Sequence, residues 1–142
     1  MKLYLIGILL ASFGCSEQGP KKIKSGSDVC AFCQMTIVDE RFSAQLITTK
    51  NKTYLFDDIR CLNNFIQAKE ITAGNTKQIY VANFQTPGNY LEVQNAYFMH
   101  SPEFHSPMGG NFAAFPSTAT RNDAISEMGG EILQLEQVVI YP

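Results

Sequence analysis

The sequence predicts an α+β fold of two tandem strand-strand-helix-strand (ββαβ) units with small, mainly antiparallel sheets. Three observations predict it. Short stretches of alternating or wholly apolar residues, bounded by turn residues, read as strands. Two segments with helical apolar spacing each open behind side chains suited to capping. The order strand, strand, helix, strand then occurs on both sides of the Pro87-Gly88 turn, although the halves share negligible sequence identity. The expected units span residues 28–86 and 87–142.

From Thr36 the chain reads as β: Phe42, Ala44 and Leu46 fall on one face at period two, Ser43 and Gln45 on the other. Lys50-Asn51-Lys52 is a turn, and Thr53–Phe56 a second strand. Asp57 or Asp58 supplies an N-cap oxygen and favourable charge at a helix start. Ile59, Leu62, Phe65 and Ile66 form that helix's apolar stripe, which ends near Ala68. Gly74-Asn75 breaks the chain before the strand Gln78–Phe84.

In the second half, Tyr90–Val93 and Ala96–Met99 are strand-like, and Phe112–Phe115 follows a long loop. Pro116-Ser117-Thr118 opens a helix with Ala124, Ile125 and Met128 facing inward, and Gly129-Gly130 stops it. Ile132–Leu135 and Val138–Ile140 are expected to complete the sheet.

Composition narrows the function. The chain has 142 residues, 45% apolar and 17% charged, which suits a globular domain. A net charge of −2 without a long basic block lacks the footprint of a nucleic-acid binder. Residues 1–14 read as a lipoprotein-type signal: Lys2 precedes an apolar run from Leu3 to Ala11, shorter than the roughly 20 residues a spanning helix needs. Ser12-Phe13-Gly14-Cys15 looks like a relaxed lipobox, so Cys15 is the expected acylated residue. Each buried methylene of such an anchor adds roughly 0.8 kcal/mol of membrane affinity. Residues 15–27 then read as a flexible, polar tether.

With Cys15 acylated, Cys30, Cys33 and Cys61 remain, an odd number that argues against a disulfide scaffold. The segment Asp28-Val29-Cys30-Ala31-Phe32-Cys33-Gln34-Met35 concentrates two thiols and a thioether. A redox C-x-x-C should follow a strand and open a helix, whereas this pair precedes a strand. Structural zinc wants four N/S ligands, and no second close pair exists. A soft-metal clamp remains, with a small Cys30–Cys33 disulfide as the alternative. Thiolate and thioether select Cu(I) over harder ions. A strand beginning near Gln34 would put Cys33 and Met35 on one face, within reach of one metal.

The loop Tyr97–Asn111 carries His100, His105, Met99 and Met108 between prolines and the Gly109-Gly110 pair. Long loops of this kind usually position something. Met108 and His100 are its candidate ligands, with local hydrogen bonding the competing role for His100. Cys61 reads as a buried structural thiol, and Asp57-Asp58 as capping groups. There is no nucleophile elbow, His-Glu-x-x-His or phosphate-cradling glycine loop, so an enzyme is not expected.

These residues together resemble the NosL family, the lipoprotein accessory factors of nitrous oxide reductase. The resemblance rests on the signal ending at Cys15, on Asp28–Met35, on Tyr54-Leu55-Phe56-Asp57-Asp58 before a helix, and on Ser106-Pro107-Met108-Gly109-Gly110-Asn111 followed by Ala113-Ala114-Phe115. It implies a fold shared with organomercurial lyase and a Cu(I) chaperone that supplies the apo reductase through a membrane ABC-transporter maturation complex. It also implies a protein lipid-anchored at a membrane facing the periplasm. By resemblance the copper site is Cys33 with Met35, joined by Met108, with Cys30 and His100 as further candidates. The rival class is a thiol enzyme using Cys30 and Cys33, either for carbon–metal cleavage or for disulfide exchange.

Overall fold

Two antiparallel sheets organise the chain, and the segments that join them bring the cysteines together. The computed structural model describes residues 19–142, so the expected signal over 1–14 and Cys15 lie outside the described residues. In the first sheet Ala44–Thr48 (β1) is flanked by Thr53–Phe56 (β2) and Thr76–Ala82 (β3), and Tyr90–Glu92 (β4) extends β3. Ala44 pairs with Phe56 on one side and Val81 on the other; Leu46 pairs with Tyr54 and Ile79. Asn51 turns β1 into β2 at φ 59°, a left-handed conformation that asparagine tolerates.

Between β2 and β3 lies helix α1, Ile59–Ala68. Asp58 caps it, accepting from the Arg60 N–H at 2.8 Å. The predicted stripe Ile59, Leu62, Phe65 and Ile66 is buried against the sheet, together with Cys61. Each such large apolar side chain contributes roughly 1.5–3 kcal/mol of burial free energy.

The second sheet has the order β6-β5-β7, from Tyr97–His100 (β5), Phe112–Phe115 (β6) and Glu131–Leu133 (β7). Helix α2, Thr118–Met128, starts behind Ser117, whose hydroxyl accepts from the Thr120 N–H. It stops at Gly129, φ 69°. Its Ala124 is buried with Phe42, Met99, Phe104, Ala113 and Phe115 in a second core, against which Ile125 and Met128 pack. The two sheets touch through a bridge between Asn83 and Ala114. The result is the expected α+β class with antiparallel sheets.

Several expectations about individual segments are corrected. Pro87-Gly88 does not separate the halves. Asn83 donates to the Asn89 carbonyl at 2.8 Å and Gly88 takes φ 87°, so the turn folds β4 straight back onto β3. Tyr90–Glu92 therefore belongs to the first sheet, and the second sheet begins at β5.

Ser43 and Gln45, on the opposite face from Ala44 and Leu46, are fully buried as well. Part of the expected tether covers Gln45, while Ser43 donates to the Glu40 carbonyl and lies 3.0 Å from the Tyr90 hydroxyl. Lys21 donates its N–H to Gln45 Oε1 (2.8 Å) and accepts from Gln45 Nε2 (2.7 Å), while Ile23 is buried in the core. Ahead of β1 the chain is not extended as expected. Only Val29 and Thr36 form a bridge, and Glu40–Phe42 is a 3₁₀ turn.

At the other end Leu135–Val138 forms a short helix, α3, in place of the strand expected over Val138–Ile140. Its tail finds its hydrogen bonds on α1 and not on a neighbouring strand. Asn63 donates to the Val138 carbonyl at 2.6 Å and accepts from the Ile140 N–H at 3.2 Å. Among the described residues, no helix is long and apolar enough to cross a membrane.

Candidate metal centre

The segment carrying Cys30, Cys33 and Met35 is a tight loop. The Val29–Thr36 bridge closes it, Cys30 N–H donates to the Met35 carbonyl at 2.8 Å, and Gln34 turns the chain at φ 63°. The Gln34 side chain also donates to the Cys30 and Ala31 carbonyls (3.3 and 3.1 Å), satisfying backbone oxygens inside the turn. Ala31 N–H donates to the Leu55 carbonyl at 2.8 Å, tying the loop to the end of β2. The strand expected from Gln34 is absent, so Cys33 and Met35 do not share a strand face.

The end of β2 leads into Asp57, Asp58 and the first turn of α1, which carries Cys61. Four donors converge here: the sulfurs of Cys30, Cys33 and Cys61 and a carboxylate oxygen of Asp57 all lie within 4.8 Å of one another. Cys30 and Cys61 are fully buried and Cys33 is half-buried; all three are free thiols. Cys33 donates to Asp57 Oδ2 at 3.4 Å, while Asp57 Oδ1 is buried without a hydrogen-bond partner.

Burial dominates the electrostatics of this group. It pushes the Cys33 thiol up to about 11, a rise the Met35 N–H opposes and the neighbouring Cys30 and Asp57 reinforce. The Cys61 thiol is also raised, first by burial and then by the neighbouring Asp57 carboxylate. Helix N-termini favour thiolates. Here desolvation and adjacent anionic groups outweigh that field, so without a cation both thiols hold their protons at neutral pH.

Met35 is 56% exposed. Met108 comes from the second half and packs against the same core as Cys33. Asp58 holds its loop: Oδ2 accepts from Ser106 Oγ (2.6 Å), Met108 N–H (3.0 Å) and Gly110 N–H (3.4 Å). Arg60 adds a bond from Nη1 to the Met108 carbonyl at 3.3 Å. Gly110 is required by close approach, since a Cβ there would lie 2.5 Å from Asp58 Oδ1 and 2.9 Å from Arg60 Cβ.

His100 stands apart from the thiol cluster. Its Nδ1 is 3.5 Å from Glu131 Oε1 and its ring lies beside Phe112. The exposed His105 caps a 3₁₀ turn at φ 47°, and Met99 is a core residue. Sequence reasoning missed Cys61 and Asp57 as members of the cluster. The available signal was that both flank the start of α1, Asp57 just before its N-cap and Cys61 in its first turn.

A half-buried thiol backed by two buried thiols and a carboxylate, on a small two-sheet α+β scaffold, defines a candidate soft-metal-binding protein. The chain belongs to the NosL family, whose model matches residues 20–140. It is similar in structure to the copper chaperone NosL from Shewanella denitrificans, at 20% sequence identity and a TM-score of 0.68, over 85% of this chain and 98% of that one. At that identity the likeness is one of fold. No curated relative matches.

Proposed function

We propose that this protein is a copper chaperone that carries Cu(I) outside the cytoplasm and performs no turnover of its own. The observation that carries the reading is the convergence of three free thiols with only Cys33 reaching the surface, next to the exposed Met35. A buried thiol set favours a soft ion over hydrated hard ones. One accessible ligand lets a partner's ligands replace it stepwise. The Cys33 thiolate supplies most of the affinity, Met35 and Met108 tune selectivity as neutral thioethers, and Cys30 completes the set; His100, a further candidate by family resemblance, is engaged with Glu131 and ranks last. On the same grounds, Cys15 carries the lipid at a membrane facing the periplasm. The receiver is apo nitrous oxide reductase, reached through its ABC-transporter maturation complex.

The test is a Cu(I) titration of the reduced chain from Ser16 against a competing chelator, without oxygen, beside Cys33→Ala and with Zn(II) as control. One copper per chain, bound tightly and lost in Cys33→Ala, supports the reading. Full Cu(I) affinity in Cys33→Ala, or no preference over Zn(II), refutes it.

One observation favours the thiol-enzyme class. Carbon–metal cleavage needs an acid beside the thiols, and Asp57 accepts from Cys33. Catalytic turnover of an organomercurial with excess thiol present would establish that class; stoichiometric binding supports the chaperone.

A further inference from the structure

We propose that Cys61 is a copper ligand, and that Cys30, Cys33 and Cys61 form a buried three-sulfur position for Cu(I) inside the surface defined by Met35. The proposal deepens the copper reading above and rests on it. Two separate pieces of chain build the position: the 29–36 loop gives two thiols, and the step from β2 into the first turn of α1 gives Asp57 and Cys61.

A buried cysteine that only fills space behaves as a small hydrophobe among apolar neighbours. Cys61 instead faces two other thiols and a carboxylate. That carboxylate belongs to a residue 2% exposed, and its Oδ1 has no partner. A buried acceptor left unpaired costs roughly 1–3 kcal/mol. A scaffold that gathers these groups is shaped around a cation.

The donor count fits Cu(I) without outside help. Three thiols supply three sulfur ligands; as copper binds, three S–H bonds give way to three Cu–S bonds and three protons leave to solvent. His100, engaged with Glu131, is then not needed. Met35 and Met108 act on the way in and out. Cys33, the half-buried member, is the ligand shared by the inner position and the surface.

The test uses Cu(I) alone, loaded anaerobically onto the chain from Ser16. X-ray absorption at the copper edge counts sulfur neighbours, and chelator competition gives the affinity. Wild type and a Met35→Ala/Met108→Ala double variant are both expected to show three sulfur neighbours. Cys61→Ser and Cys61→Ala, checked for folding by circular dichroism, are expected to fall to two. Their affinity should drop by about a hundredfold, since even outer-shell partners of a metal site are worth 10–100-fold.

Two sulfurs in the double variant, or unchanged affinity in a folded Cys61 variant, overturns the proposal while the chaperone reading survives. If wild type binds no Cu(I), that reading fails as well. Where the Cys61 variants do not fold, the sulfur count in the double variant decides, because neither methionine it removes is a fully buried core residue.

Discussion

Asp58→Ala should be among the most damaging single changes in this protein, because one carboxylate holds two parts of the fold together. Asp58 is 1% exposed. Its Oδ1 caps α1 through the Arg60 N–H, and its Oδ2 holds the loop around Met108 through Ser106, Met108 and Gly110. Loss of an N-cap costs about 1 kcal/mol. The 2.6 Å bond from Ser106 and the 3.0 Å bond from Met108 are charge-assisted, and each is worth roughly 1.5–3 kcal/mol. The 3.4 Å bond from Gly110 is too long to add much.

These terms are not additive, since water can enter the vacated space and re-solvate the loop. About 3–5 kcal/mol is the expected loss, a large share of the roughly 5–15 kcal/mol that stabilises a domain. Asp58→Asn keeps one acceptor oxygen but points an amide donor at other donors, and should cost about 2–3 kcal/mol. The assay is urea unfolding of the metal-free protein followed by circular dichroism, with hydrogen exchange at Met108 and Gly110. A lowered midpoint with unchanged slope is expected, with faster exchange at both amides. A loss below about 1 kcal/mol, or unchanged exchange, would refute the clamp.

Other expectations follow from the same neighbourhood. Gly110→Ala should cost about 1–3 kcal/mol, since its Cβ would meet Asp58 and the stem of Arg60; an unfolding curve matching wild type would show that the loop relaxes freely. Asn63→Ala should free the C-terminal tail from α1 at a cost of about 1–2 kcal/mol, read as faster exchange at Ile140. The metal-free fold should weaken in alkali. The Cys33 thiol is raised from its ordinary value of 9.0 to about 11, so its contribution is present below 9 and is lost as pH climbs through 11. Copper affinity should move the other way, rising by about tenfold per pH unit for each thiol proton displaced. Affinity that stayed flat between neutral and mildly alkaline pH would mean that thiolates are not the ligands.

Local chemistry was legible where it acts through near neighbours. Of the Asp57-Asp58 pair Asp58 caps α1, Ser117 within Pro116–Thr118 caps α2, Gly129 stops it, and α1 buries its predicted stripe, because capping and 3.6-residue periodicity need only a few adjacent residues. The Pro87-Gly88 turn was visible, but whether it separates two units or closes a hairpin depends on which strand β4 pairs with. The alternation through β1 shows that Ser43 and Gln45 share a face but not whether that face meets water. Gln45 is buried because Lys21, 24 positions earlier, lies across it, and Ser43 meets the Tyr90 hydroxyl; alternation cannot encode either contact.

The site divides in the same way. The pairing of Cys30 with Cys33, the softness of their sulfurs and the capping role of the Asp57-Asp58 step follow from residue type and spacing. Those properties belong to side chains a few bonds apart. Only the tertiary structure decided that Cys61 and Asp57 meet that pair, that Met35 lies exposed on a turn, and that Asp58 reaches into the Met108 loop. The first and last of these are contacts between segments distant in the chain. Burial then raises the Cys33 and Cys61 thiols and leaves Cys33 as the member that reaches solvent.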